Sequence, residues 1–394
     1  MDTSMSQRNV NRARAPIKIW QIHKFRRFSR KKSCKRSISI HLSLDMLAIR
    51  KLARGIGNVS VEELPVPVAG PEEVVAEVDS AGICGTDLHI YLDEFETSPP
   101  VTMGHEFAGR IVEVGKNVRD WHPGDRVTAG TYFFTCGQCR YCREGRSNLC
   151  PHRRSIGSKR DGAFARYVVV PAANLYRVQD QVDLESATLT EPLACTIHGV
   201  LSVAKVQAGE NVVITGPGPI GLLALQLAKA AGATVALLGT QADRARLELA
   251  GQLGADHTLE ISAVTDVLKA VQDLFHAEGI DLVVECSGAG PAAETLLNLV
   301  RRGGRFCQMG LFGKPIPWNQ DLVCYKELTV TGTNAHVPSA WPHALKFMAE
   351  GRVNVRRLIT HRFALPAWKQ ALQTAQTKQG VKILLKPLGH SLTD

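Results

Sequence analysis

The segment NVVITGPGPIGLLALQLAKAAGATVALLGT, residues 211–240, constrains the fold more than any other stretch of the chain. It reads as a buried strand, a glycine turn, an amphipathic helix and a second strand. Gly216, Gly218 and Gly221 form G-x-G-x-x-G between the strand VVIT and the helix LLALQLAKA, with Pro219 and Ile220 inside the turn as further cofactor-binding candidates. Glycines there permit a tight turn, close approach of backbone to a pyrophosphate, and close helix–sheet packing. The helix N-terminus then offers free N–H groups and partial positive charge to the phosphates. A glycine trio alone is a weak signal, and its strand–turn–helix setting is what points to a dinucleotide site. The second strand ends at Gly239-Thr240-Gln241, where an NAD enzyme usually places an acid for the ribose hydroxyls. Asp243 comes later, beside Arg244 and Arg246. The missing carboxylate removes repulsion against a 2′-phosphate, and Arg244 could pair with one. The bland alternative puts both arginines on the solvated face of the next helix. The expected cofactor is therefore NAD or NADP, with a lean toward NADP.

Around this unit the pattern differs. From 46 to about 195 the chain reads as short strands broken by Gly and Pro (EEVVAEVDSAG, EFAGRIVEVG, DRVTAG, ARYVVVP), which suggests a mostly β, barrel-like domain. DLVVECSGAG and RRGGRFCQMGLFG continue the strand–turn–helix alternation of a parallel sheet covered on both faces. KILLKP reads as a closing strand. The formal charge of +10 hints at a polyanion partner until it is located. Residues 1–45 hold twelve Lys or Arg and two acids, which is the whole excess; the other 349 residues carry 35 of each sign. A neutral body lacks the basic stripe that phosphate contacts require, which argues against a nucleic-acid-binding protein. No apolar run is long enough to cross a membrane. The Arg-rich tail reads as a transit peptide, a basic arm, or sequence upstream of a start at Met46, and the last reading is favoured.

Four of the ten cysteines, Cys136, Cys139, Cys142 and Cys150, fall within fifteen residues as C-x2-C-x2-C-x7-C. Such a knuckle can deliver four thiolates to a tetrahedral zinc. Two disulfides fit a tight knuckle poorly. An iron–sulfur cluster is a closer rival, since Pro151 follows the last cysteine, but ferredoxins use a three-residue final gap. Cys195, Cys286, Cys307 and Cys324 lie on apolar segments and read as small core residues; Cys34, in the tail, has no evident role.

Two further segments, GICGTDLH (82–89) and GHEFAGRIVEVG (104–115), join the knuckle, the glycine turn and TEPLA (190–194) in one ordered set. Together these resemble the zinc-dependent medium-chain alcohol dehydrogenases, closest to the polyol (sorbitol, butanediol) and threonine dehydrogenase branch. The resemblance covers residues 46–394. It implies an α/β protein in which a GroES-like, mostly β catalytic domain (46–195 and 336–394) is interrupted by a Rossmann domain with a doubly wound parallel sheet (196–335). It implies two zinc ions per chain, one structural on the knuckle and one catalytic on Cys84 and His105, with Glu106 as third ligand or nearby acid. Glu191 matches the glutamate that, in the polyol branch, binds the metal directly or through water. Thr86 matches the relay hydroxyl and His89 would pass the proton outward. The implied activity is hydride transfer between a small-molecule secondary alcohol or polyol and the nicotinamide, with an L-threonine 3-dehydrogenase-like reaction as runner-up. The implied assembly is a homodimer or homotetramer. Reduced thiols point to the cytoplasm, or to mitochondria if residues 1–45 are a transit peptide.

Overall fold

A computed structural model of the chain describes residues 45–387 except Glu278, with the side chains of 291–294 also outside the description. The basic tail and Cys34 therefore lie outside the described residues, save for Asp45.

The dinucleotide segment forms the elements its pattern predicts. Asn211–Thr215 and Thr234–Gly239 are adjacent parallel strands, joined by the helix Pro219–Ala230. Both strands are almost continuously buried, as strands covered on two faces must be. Gly218 caps the helix and Pro219 occupies its first turn, where a missing N–H costs nothing. The helix stops at Gly232, whose φ of +90 supplies the left-handed residue of a helix end. Six parallel strands build this sheet, in the order His257–Glu260, Thr234–Gly239, Asn211–Thr215, Ile280–Glu285, Val300–Gln308, Thr329–Gly332. That is the 3-2-1-4-5-6 order of a doubly wound dinucleotide fold, whose ligands sit beyond the carboxyl ends at the strand-order reversal.

The second sheet has seven strands and draws on both ends of the described chain. Its path runs Leu175–Arg177, Arg126–Ala129, Glu106–Val114, Glu73–Gly82, Lys382–Lys386, Ile359–Ala364, with Tyr167–Pro171 also paired to Glu73–Gly82. Glu73–Gly82 is thus the hub, and two register shifts against Glu106–Val114 bend it. A three-stranded sheet (Val59–Pro65, Asp45–Lys51, Val101–Thr102) lies beside it. The short pair Tyr132–Phe134 and Arg154–Ser155 closes the base of the loop that carries the four clustered cysteines. One core fills the mostly β part around Phe107, Phe164 and Ile383. Another packs the helices Thr190–Ile197 and Ala340–Ala349, through Leu193 and Trp341, onto the parallel sheet. Among the described residues, no helix is long and apolar enough to cross a membrane.

Candidate active site

Cys84, His105 and Glu106 come from two segments that the hub strand brings together. Cys84 follows the end of Glu73–Gly82 and is the N-cap of the short helix Gly85–Tyr91, where its backbone N–H donates to Asp87 Oδ2 at 2.9 Å. His105 and Glu106 stand at the start of Glu106–Val114, with Glu106 paired to Gly82 in register. The absence of a side chain at position 82 is needed, because a Cβ there would come within 2.1 Å of Glu106 Oε2. One ligand atom from each of Cys84, His105 and Glu106 lies within 4.8 Å of the other two.

The charge around this trio is lopsided. Asp87 and Glu106 are fully buried and Glu191 nearly so. Burial pushes the Asp87 and Glu191 carboxyls up from their ordinary range. Burial disfavours the His105 cation, yet Cys84, Asp87 and Glu191 outweigh it and hold that imidazole well above its usual pKa. Asp87 Oδ1 has no hydrogen-bond partner and stands 4.0 Å from His105 Nδ1. A thiol and three carboxyls thus face one imidazole and one lysine, a donor set that fits a divalent cation.

The lysine is Lys382, from the closing strand. It is 1% exposed, and its Nζ donates to both Glu106 oxygens at 2.7 and 2.9 Å and to the Ile83 carbonyl at 3.1 Å. Burial lowers its pKa, but Glu106 and Cys84 raise it further, so the net shift is upward. Sequence reasoning missed this residue; its signal was a lysine leading straight into the apolar run Ile383–Leu385. It also missed His336, which is 2% exposed and 4.0 Å from Glu191 Oε1. Trp341 Nε1 donates to His336 Nδ1 at 3.0 Å, so the proton of this imidazole sits on Nε2, 3.0 Å from Thr131 Oγ1. Burial lowers the His336 pKa to about 3, which keeps the ring neutral.

Glu191 lies on the helix Thr190–Ile197 and accepts from Cys195 Sγ, one turn on, at 3.4 Å. Thr86 Oγ1 is 3.8 Å from Cys84 Sγ. Cys84, Thr86, His105, Glu191 and Ile220 all line one cleft of about 590 Å³. His89 sits at the outer end of its helix, a third exposed, with Nδ1 2.7 Å from Glu94 Oε2.

Ile220 belongs to the glycine turn, so the cleft reaches the helix N-terminus. Gly216 has a φ of +81, and a Cβ there would meet Ser287 Cα at 2.6 Å. A Cβ on Gly221 would meet the Gly216 carbonyl oxygen at 2.0 Å, whereas one on Gly218 would meet nothing within 4 Å. Gly216 and Gly221 are therefore needed by the fold itself. Gly218 leaves open the space that a pyrophosphate would fill. Thr240 is tied to Asp243, whose Oδ2 accepts from both its hydroxyl (2.8 Å) and its N–H (3.2 Å). Arg244 is exposed and pairs with Glu260 at 3.1 Å. Arg246 departs from the solvated-face reading: its side chain is 12% exposed, pairs with Asp243 and donates to the Gly380 carbonyl.

The knuckle is a separate cluster. One sulfur from each of Cys136, Cys139, Cys142 and Cys150 lies within 4.8 Å of the rest. Backbone N–H groups point at the sulfurs of Cys136, Cys139 and Cys150 at 3.4–3.5 Å. N–H groups of Gln138 and Cys139 pull the Cys136 thiol down to about 6, while desolvation and the neighbouring thiols push Cys142 up to about 12. Four thiols this close can all ionise only around a cation. The remaining cysteines divide. Cys307 is buried as expected and Cys286 is half-buried, but Cys324 is exposed, because the five-residue helix Asp321–Tyr325 turns it outward. Cys195 belongs to the cleft wall.

The alcohol dehydrogenase GroES-like domain matches residues 70–180, and the zinc-binding dehydrogenase domain matches residues 219–350. A sorbitol dehydrogenase of Halalkalibacterium halodurans is 40% identical over 344 residues, which is 87% of this chain and 100% of that protein. A D-arabitol-phosphate dehydrogenase of Enterococcus avium is 36% identical, over 88% of this chain and 98% of that one. A solved structure described as a zinc-binding dehydrogenase of Sinorhizobium meliloti 1021 bound to NADP superposes with a TM-score of 0.81 at 36% identity, covering 87% of this chain and 99% of the other.

Proposed function

Because the chain belongs to the zinc-dependent medium-chain dehydrogenase family, we propose that it transfers a hydride between a secondary hydroxyl of a polyol and NAD or NADP. The observation that carries this reading is the convergence of Cys84, His105 and the buried Glu106, the first two of which line a cleft that also reaches Ile220 of the glycine turn. In this reading Cys84, His105 and Glu106 hold a zinc ion, with Glu191 facing them. Bound there, zinc would supply the Lewis acidity that lowers the pKa of an alcohol, and a nicotinamide would supply the hydride acceptor. Lys382 holds the Glu106 carboxylate in place through both oxygens. The Thr86 hydroxyl takes the hydrogen bond of the substrate hydroxyl, and His89, with Glu94 beside it, releases the proton toward solvent. Gly218 and Pro219 leave room for the pyrophosphate, Gly218 and Ile220 offer it backbone N–H groups, and Thr240 borders the adenosine ribose. Arg244 is drawn to a 2′-phosphate only by giving up Glu260, so both cofactors are expected to work.

The knuckle cysteines, in the same reading, hold a second zinc that closes its lobe and takes no part in the reaction. Residues 46–195 and 336–394 act as the catalytic domain and 196–335 as the dinucleotide domain. The described residues contain nine free cysteines, which suits a reducing compartment such as the cytoplasm, and the family likeness suits a homodimer or homotetramer.

The test is a panel of sorbitol, arabitol, 2,3-butanediol, simple alcohols and L-threonine, assayed by nicotinamide absorbance with each cofactor, alongside metal analysis. Turnover of polyols that is lost on chelation and regained with zinc is the expected result. Zinc-replete protein that turns over L-threonine alone would replace the polyol reading with the amino-alcohol one.

A further inference from the structure

The polyol reading leaves open whether the substrate is neutral, and the cleft wall opposite the dinucleotide turn bears on that question. Arg153 lines the cleft with Cys84 and His105. It is half-buried, and its Nη1 donates to the Asn148 carbonyl at 2.8 Å. Its guanidinium lies over the Tyr132 ring, 5.0 Å from the centroid. Tyr132 is itself fixed, stacked on His336 at 4.4 Å and donating from its hydroxyl to the His336 carbonyl at 2.6 Å. The cation is therefore held in one orientation on a rigid aromatic support. Those two contacts leave the rest of its donor fork free, and no carboxylate pairs with it among the described residues. Lys159, on the same wall, differs: it is already paired with Glu96 at 2.9 Å.

A second, independent feature lies beside it. Asn148 is 4% exposed and lines the same cleft. Its Nδ2 donates to the Asn334 carbonyl at 2.9 Å, which fixes the amide orientation and leaves Oδ1 buried with no partner. A buried, unpaired amide oxygen is costly unless a ligand supplies a donor. A fixed guanidinium and an acceptor lacking its donor, side by side, match an anionic oxygen group next to a hydroxyl.

We propose that the substrate is a polyol carrying an anionic end group, a phosphate monoester or a carboxylate, which Arg153 binds while Asn148 Oδ1 accepts from a neighbouring hydroxyl. This rests on the polyol reading for the reacting hydroxyl, whereas the anion contact does not depend on turnover.

The experiment compares sorbitol, sorbitol 6-phosphate and gluconate with the zinc-loaded, full-length protein. Two quantities are measured: kcat/KM, and the dissociation constant from calorimetric titration at saturating cofactor. The expected result is a higher kcat/KM and tighter binding for one of the two anions than for sorbitol. In Arg153→Gln the anion-to-sorbitol ratio falls about 10- to 100-fold, mainly through KM, with partial recovery in Arg153→Lys. Which anion leads distinguishes phosphate from carboxylate. Equal handling of sorbitol and both anions, or a ratio unchanged in Arg153→Gln, overturns the proposal. Anion binding that depends on Arg153 without turnover of any polyol would sustain the anion contact at Arg153 but overturn the polyol substrate and the polyol reaction together.

Discussion

Replacing Lys382 with Met tests the electrostatic design of the site directly. The substitution keeps most of the side-chain volume and removes only the ammonium group, so little cavity cost is expected. It strips three donated hydrogen bonds, two of them to a Glu106 carboxylate that is 0% exposed. Breaking a buried ion pair by deleting one partner costs about 3–5 kcal/mol, because the remaining charge is left uncompensated. The metal-stripped Lys382→Met protein should therefore unfold at a markedly lower urea concentration than metal-stripped wild type. The double variant Glu106→Gln/Lys382→Met removes both charges and should be more stable than the single one, with a coupling energy of at least about 1.5 kcal/mol. Zinc held as proposed would supply a new cation to the carboxylate, so the gain in stability on zinc loading should be larger in Lys382→Met than in wild type. Equal unfolding midpoints for stripped wild type and Lys382→Met would refute the reasoning. So would strict additivity across the cycle.

Four shorter predictions accompany it. Cys84→Ser should lower kcat at least about 1,000-fold while cofactor binding, read by nucleotide fluorescence, stays within about twofold of wild type. Cys139→Ser should remove about one zinc equivalent by elemental analysis and make the lobe around residues 136–150 sensitive to limited proteolysis. Gly218→Val should keep its folding transition but weaken cofactor binding at least about tenfold, since its side chain enters open space; Gly221→Val should destabilise the fold, because its Cβ meets a carbonyl at 2.0 Å. Burial alone would raise the Glu185 pKa, but hydrogen bonds and charge from Arg362 and Lys386 win and depress it. A depressed carboxyl stabilises the fold above its unfolded pKa and loses that contribution as pH falls through the folded value. Glu185→Gln should therefore cost about 0.5–1 kcal/mol at pH 7, after discounting for solvent screening, and flatten the acid limb of a stability profile below about pH 4.5.

What could be read in advance follows from how local each signal is. The 211–240 unit declared itself because continuous apolar strands and a glycine turn are adjacent in sequence, and the four-cysteine knuckle is more local still. Cys84, His105 and Glu106 carry no such periodic signal, and only the family resemblance links them. Lys382 lay beyond both kinds of reading. Its strand carries a lysine at each end of an apolar run, and the burial of the first becomes intelligible only once Glu106, 276 positions away in sequence, lies opposite it. His336 and Trp341 are equally silent, since their hydrogen bond sets a tautomer without leaving any pattern. Cys324 misled for the opposite reason. Leu322 and Val323 pack inward, but a helix of five residues is too short for apolar neighbours to settle which way each side chain faces.

The reach of Lys382 across the chain also sets a timetable for biosynthesis. The four-thiol knuckle is complete once residue 150 has left the ribosome, and it can capture a metal while most of the protein is still unmade. The Glu106 carboxylate, by contrast, has no lysine to hold both its oxygens until the strand Lys382–Lys386 emerges and inserts between Glu73–Gly82 and Ile359–Ala364. The part of the centre made first must wait for a lysine made 276 residues later, so the pair cannot close before that strand has emerged.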